Sequence, residues 1–200
     1  IMAILTLLGL FGSLPFFQYL HVYSVGRQWS GQNVISHQSS LYGNITVTER
    51  AGEYTFFLDG QPSITAPSPD AIRLEEIVHI PMLSHPEPGN VLIISGGAGG
   101  KIRELLKHPG LESLDYLELD PKLIETIKAF PSDLTEEELN NPIVKVHTVD
   151  GRYFLNRTSQ KYDLSFIGIS SPTDLQTHRF FTREFYSKIQ ATMNPGGIIV

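Results

Sequence analysis

Residues 91–119 read VLIISGGAGGKIRELLKHPGLESLDYLEL, and the order of patterns within them decides the fold. Val91–Ile94 is an unbroken apolar run, as expected of a strand buried on both faces of a parallel sheet. Ser95-Gly96-Gly97-Ala98-Gly99-Gly100 follows it directly, and a helical stretch continues to Lys107. Leu114–Leu119 is the next strand. Glycines at such a strand-to-helix turn let a ligand approach the backbone where helix N–H groups point outward. A tight turn that binds nothing has the same composition, so the turn alone assigns no function.

The alternation continues toward the C-terminus. Pro121 suits the first turn of a helix to Ala129, Ile143–His147 is a third strand and Leu164–Ile169 a fourth. Thr182–Met193 reads as a helix, Pro195-Gly196-Gly197 as a turn, and Ile198–Val200 as the start of a fifth strand. Strands alternating with helices imply an α/β fold with a parallel sheet and right-handed crossovers, here a Rossmann-like domain over residues 67–200. Toward the N-terminus the pattern is different. Asn44–Thr48 alternates, Tyr54–Leu58 is aromatic and β-branched, Ala51-Gly52 suits a hairpin and Asp59-Gly60 another turn, giving a β-strand subdomain over residues 27–66. Pro67-Ser68-Pro69-Asp70 is a breaker cluster whose Asp70 caps a helix to about Leu83, and His85–Pro88 breaks the chain again.

Composition narrows the function classes. An apolar fraction of 41% with 18% charged residues excludes a disordered chain. A net charge of −6 argues against nucleic-acid binding through a basic surface. The absence of cysteine removes disulfides, thiolate metal sites and a thiol nucleophile, and the seven histidines show no metal spacing; His79 and His85 read as a helix surface and a loop. Every Lys, Arg, Asp and Glu lies at or after Arg27. Ile1–Leu20, with only Thr6, Ser13 and Gln18 clearly polar, is long enough to cross a bilayer core, for which about 20 apolar residues suffice. Residues 1–26 are therefore expected to be a transmembrane helix and the start of a linker, with His21, Tyr23 and Trp29 near the interface. A buried amphipathic helix is the alternative. A chain that begins at Ile1 and stops inside a strand is expected to be cut at both ends, with the C-terminal part of the Rossmann-like domain missing.

Three features fall at strand ends, where open α/β sheets bind ligands. The first is the glycine turn, with Gly96, Gly97 and Gly99. The second is Glu118, suited to accepting hydrogen bonds from both hydroxyls of a ribose, and the third is Asp150, preceding Gly151. Together they point to a nucleoside site. Glu136-Glu137-Glu138 with Asp133 reads as a solvated helix start.

With these stretches in view, residues 36–200 resemble the spermidine synthase (polyamine aminopropyltransferase) family. The resemblance rests on Gln38-Ser39 with Tyr42-Gly43, VLIISGGAGGKIRELLKHP, YLELDP, VKVHTVDGRYFL, the Tyr162-Asp163 strand, and FFTREFY before NPGGIIV. It implies a small N-terminal β-sheet followed by a Rossmann-like, methyltransferase-type sheet. The hydrophobic start resembles the membrane-spanning version of these proteins. The resemblance further implies that Gln38 contacts the thioadenosine, that Glu118 holds the ribose, and that Asp150-Gly151 holds the adenine. On the amine side the pattern departs from the family. The acid of its GGGDGG loop is Ala98 here, the histidine or glutamine before Glu75 is Leu74, and the tyrosine one place earlier is Arg73. The two aspartates of D-x-x-D-P become Gly168 and Ser171.

The chemistry at stake is attack by a neutral amine on a carbon beside a sulfonium. An alkylammonium has a pKa near 10, so a carboxylate that binds it and takes its proton matters. Asp174 is the nearest surviving acid after Gly168, with a solvated loop position as its alternative; Tyr42 either lines the amine pocket or packs under the hairpin. The resemblance implies decarboxylated S-adenosylmethionine or S-adenosylmethionine as co-substrate, no metal, and a small-molecule nucleoside and a polyamine as ligands. No nucleic acid is expected; a homodimer and a membrane-anchored protein with its synthase-like domain in the cytoplasm are. Three functions remain open: an aminopropyltransferase-like enzyme in polyamine metabolism, an enzyme using intact S-adenosylmethionine, and a non-catalytic ligand-sensing or structural domain of a membrane protein.

Overall fold

The computed structural model describes residues 17, 19, 20, 22–169 and 175–200. Two sheets organise it. β1 (Val34–Ser39), β2 (Asn44–Arg50), β3 (Glu53–Leu58) and β4 (Gln61–Ala66) form an antiparallel meander in that order. β2 and β3 pair from Ile45↔Leu58 to Arg50↔Glu53, and Ala51-Gly52 makes the turn between them. The second sheet is parallel throughout, in the order β7-β6-β5-β8-β9, where β5 is Asn90–Ile94, β6 Ser113–Glu118, β7 Val144–Thr148, β8 Tyr162–Ile167 and β9 Met193–Ile199. Strand order reverses between β5 and β8, which is where doubly wound sheets open a crevice.

Capping residues start the helices around this sheet. Asp70 accepts from the Arg73 N–H to open α2 (Ala71–Ser84), and α3 (Lys101–Leu106) follows the glycine turn. Asp120 and Pro121 open α4 (Pro121–Ala129), and a Ser132–Thr135 capping box opens α5 (Asp133–Asn140). Asp150 caps α6 (Gly151–Leu155), α7 (Leu175–His178) is one turn, and Thr182 caps α8 (Arg183–Thr192).

Strand alternation divides the core. Val91 and Ile93 of β5 join Ile45, Val47, Phe56 and Ile64 of the meander, with Val78 and Met82 of α2, on one face. Leu92 and Ile94 join Phe185 and Ile189 of α8 on the other. The meander therefore seals onto the parallel sheet and walls one side of its carboxyl edge.

Several expectations are corrected. β1 and β4 are strands that the sequence patterns left unread. Helix α8 ends at Thr192, and the Pro195-Gly196-Gly197 segment lies inside β9, the outermost strand of the order, where a proline need not donate to a ladder. Residues 22–28 are helical (α1), with Phe17, Tyr19, Val22 and Tyr23 exposed. Trp29 is not at an interface: it is buried and packs edge-on against Phe57 at 4.7 Å between centroids. Among the described residues no helix is long and apolar enough to cross a membrane. Most of the expected span, residues 1–16 together with 18, lies outside them.

Candidate functional site

A cleft of about 870 Å³ opens at the carboxyl ends of β5, β6 and β8 beneath the meander. Gly96, Ala98 and Gly99 of the glycine turn line it, with Glu118 and Asp120 after β6, Gly151 at α6, and Gly168 after β8. The meander contributes Tyr42 through Ile45 and Gln61 through Thr65; α2 contributes Arg73, Leu74 and Ile77.

Glu118 is 5% exposed and firmly placed. Its carboxylate accepts from the Tyr116 hydroxyl at 2.9 Å and from the N–H groups of Leu119 at 2.9 Å and Asp120 at 3.4 Å. Burial raises its pKa, while those donors and the Gly96 backbone pull it back toward the charged form. The buried Tyr116 phenol is pushed well above its ordinary range by the same burial and by the neighbouring carboxylate. Tyr116 in turn needs a glycine opposite it. A Cβ at Gly97 would stand 2.7 Å from the Tyr116 ring, so the close approach of turn to strand excludes any side chain there.

The glycine turn is held by a residue the sequence patterns misplaced. Glu138 of α5 is fully buried, not solvated. Its carboxylate accepts from the N–H of Gly99 at 2.8 Å, of Gly100 at 2.7 Å and of Arg103 at 3.2 Å. Burial pushes its pKa up to about 7 against these donors and the Arg103 charge. Spacing carried the missing signal: Glu138 lies four residues after Leu134 and three after Thr135, and all three are buried on one face of α5. The N–H groups of Gly99 and Gly100 thus go to Glu138, not to a ligand, leaving Gly96 and Gly97 as the part of the turn beside Glu118.

Other candidate residues separate. Gly151 lines the cleft, but the Asp150 carboxylate turns to Arg152 N–H at 2.8 Å and Tyr153 N–H at 3.3 Å as the α6 cap. Its second oxygen pairs with the Arg179 guanidinium at 2.9 Å. Gln38 does not line the cleft; its amide donates to the Thr126 hydroxyl on α4. Tyr42 does line it, 42% exposed. Gly168 donates its N–H to Ile94, and a Cβ there would meet the Ser95 carbonyl at 2.1 Å, so the backbone crossing between β5 and β8 leaves no room for an acid at that position. Ser171 and Asp174 lie outside the described residues.

The cleft lining also carries two cations, Arg73 and Lys101, together with Ala98. Burial and the Arg73 charge hold the Lys101 pKa below the usual lysine value. The expectation for His79 is also corrected, since it bonds His108 at 2.8 Å and reaches the buried Glu104 at 3.2 Å, tying α2 to α3. Among the described residues no group of three or more His, Asp or Glu side chains is placed to hold a metal ion.

Comparison with known proteins agrees with this architecture. Residues 71–200 match the spermine/spermidine synthase domain model. The chain is 38% identical over 126 residues to a polyamine aminopropyltransferase of Methanocaldococcus jannaschii, covering 63% of this chain and 42% of that protein. It is 33% identical over 153 residues to the Bacillus subtilis polyamine aminopropyltransferase, covering 76% and 54%. The chain therefore spans about half the length of these relatives. A crystal structure of spermidine synthase in complex with the transition-state analogue AdoDATO superposes with a TM-score of 0.75 at 29% identity, over 84% of this chain and 57% of that one. The Thermotoga maritima spermidine synthase gives 0.72 at 28%, over 84% and 56%. With its meander, parallel sheet and cleft at the strand-order reversal, the chain belongs to the spermine/spermidine synthase family.

Proposed function

We propose that the cleft binds a sulfonium-bearing thioadenosine nucleoside and transfers its alkyl group to an amine, in the manner of an aminopropyltransferase. The observation that carries this reading is Glu118: a buried carboxylate at the end of β6, fixed by Tyr116 and two backbone N–H groups, and bordering the cleft beside Gly96. A carboxylate held rigidly there binds a ribose diol without reorganising. In the transfer, an amine nitrogen forms a bond to the carbon beside the sulfonium and the carbon–sulfur bond breaks. The electron pair goes to sulfur, leaving neutral methylthioadenosine, and the nitrogen loses a proton. We assign that proton to Asp174. Curated relatives that are polyamine aminopropyltransferases, and the AdoDATO complex of a structural neighbour, support the choice of donor class.

Residues 1–20 are proposed to anchor the domain at the cytoplasmic side of a membrane, because no charge precedes Arg27. Calorimetry with methylthioadenosine on the protein and on Glu118→Ala tests the nucleoside reading. A loss of about tenfold or more in affinity is expected, since charge-assisted hydrogen bonds are each worth roughly 1.5–3 kcal/mol. Equal affinity in the two proteins would reject the site.

A further inference from the structure

The cleft is lined by four carboxylates and two cations, and they differ in what they already hold. Each carboxylate has a donor within the protein. Asp59 accepts from Asn44 N–H at 2.8 Å, Asp70 from Arg73 N–H at 3.3 Å, Asp120 from Lys122 N–H at 3.0 Å, and Glu118 from Tyr116 and its neighbours. Neither Arg73 nor Lys101 has a side-chain acceptor among the described residues. Arg73 and Lys101 line the same cleft where α2 packs on the glycine turn, Leu74 lying against Gly100, and the Arg73 charge adds to burial in holding the half-buried Lys101 below the usual lysine pKa. Ala98 of the glycine turn lines the same cleft, 6% exposed, and brings no acid to it. Lys101 is the partly desolvated charge, with the solvated Arg73 guanidinium lining the same cleft, so an anion that reaches both offsets the cost of holding Lys101 charged there. An ammonium entering the same corner would add a third positive charge.

We propose that the Arg73–Lys101 corner of the cleft binds a carboxylate of the substrate, so that this protein takes a carboxylate-bearing ligand where a plain alkylammonium would be repelled. The proposal rests on the nucleoside reading above and deepens it. The carboxylate has two possible carriers, the methionyl group of intact S-adenosylmethionine or an amino-acid acceptor, and both present the same anion to the same two side chains. Arg73 supplies a fork suited to two-oxygen pairing and Lys101 a point charge behind it.

Matched ligands that differ only in the carboxylate test the proposal by calorimetry. S-adenosylmethionine is compared with its decarboxylated form, and ornithine with putrescine in saturating methylthioadenosine. At least tenfold tighter binding of the carboxylated member is expected in one pair, and the pair that shows it identifies the carrier. Arg73→Gln and, separately, Lys101→Gln should each shrink that preference severalfold, a larger change than either makes to methylthioadenosine affinity. Arg73 is exposed, so its variant tests the corner even where Lys101→Gln fails to fold. Equal affinities in both pairs, or preference for the decarboxylated members, overturn the proposal. Failure of methylthioadenosine to bind sinks the nucleoside reading instead, and ornithine against putrescine without nucleoside then decides whether the corner binds carboxylate by itself.

Discussion

The carboxylate of Glu138 accepts a 2.7 Å hydrogen bond from the backbone N–H of Gly100, 38 residues earlier in the chain. With the bonds from Gly99 and Arg103, this ties α5 to the turn that shapes the cleft floor. A buried carboxylate accepting three backbone donors does what a ligand anion does in phosphate-binding loops, but as a permanent part of the fold.

That arrangement makes stability depend on pH. The folded pKa of Glu138 is pushed up to about 7 from the 4.5 of a free glutamate, so the native state holds its proton where the unfolded chain has released it. Its stabilising contribution is therefore complete below the unfolded pKa and is lost as pH rises through about 7. Urea unfolding at pH 5 and pH 8 should show the protein losing on the order of 3 kcal/mol more than Glu138→Gln across that range. Glu138→Gln itself should be less stable throughout, because an amide cannot accept from three N–H groups. Parallel pH dependence in the two proteins would mean Glu138 is ionised normally.

Tyr116 links the glycine turn to the Glu118 carboxylate. Tyr116→Phe removes one donor from Glu118 without altering shape and should weaken methylthioadenosine binding by roughly tenfold. Gly97→Ala should do more, displacing the whole ring that its methyl group would meet and lowering thermal stability as well. Thermal unfolding and calorimetry on the two variants separate these effects. Full affinity in Gly97→Ala would show that the turn yields freely.

Much of this framework was legible from residues 91–119, because a buried parallel strand, a glycine turn and a helix each leave a local pattern. The Asp70 cap and the Pro121 helix start were equally local. What escaped was set at a distance. β1 and β4 have mixed, partly exposed sequences and become strands only by pairing with β2 and β3. Glu138 looked like one of three solvated acids, since its donors lie in the glycine turn. Asp150 and Gln38 stood at the right places in the chain, yet their side chains meet Arg179 and Thr126. Strand position fixes where a side chain begins, whereas its partners fix where it ends.

The charge-free start makes a separate expectation. Carbonate extraction of membranes from expressing cells should leave the protein in the pellet, and deletion of residues 1–26 should release it. Full extraction of the longer protein would refute the anchor.

Turnover of putrescine with decarboxylated S-adenosylmethionine should be low, because of the residues that line the cleft with Arg73 and Lys101. Ala98 offers no carboxylate, Gly168 has no space for one, and Arg73 with Lys101 repels a dication. General-base assistance is typically worth about 10²–10⁴-fold, so methylthioadenosine release should be slower than in a family member with its acids in place by up to that margin, less the part that Asp174 restores. Gly168→Asp is a poor way to restore activity, because its Cβ would strike the Ser95 carbonyl. Ala98→Asp is the better choice, since Ala98 already carries a Cβ and lines the same cleft as both cations. It should raise putrescine-dependent release about tenfold or more, while erasing the preference for carboxylated ligands. Asp174→Asn should abolish whatever transfer remains. Vigorous putrescine turnover by the unmodified protein that survives Asp174→Asn would place the proton acceptor elsewhere in the cleft and remove the reason for assigning it to Asp174.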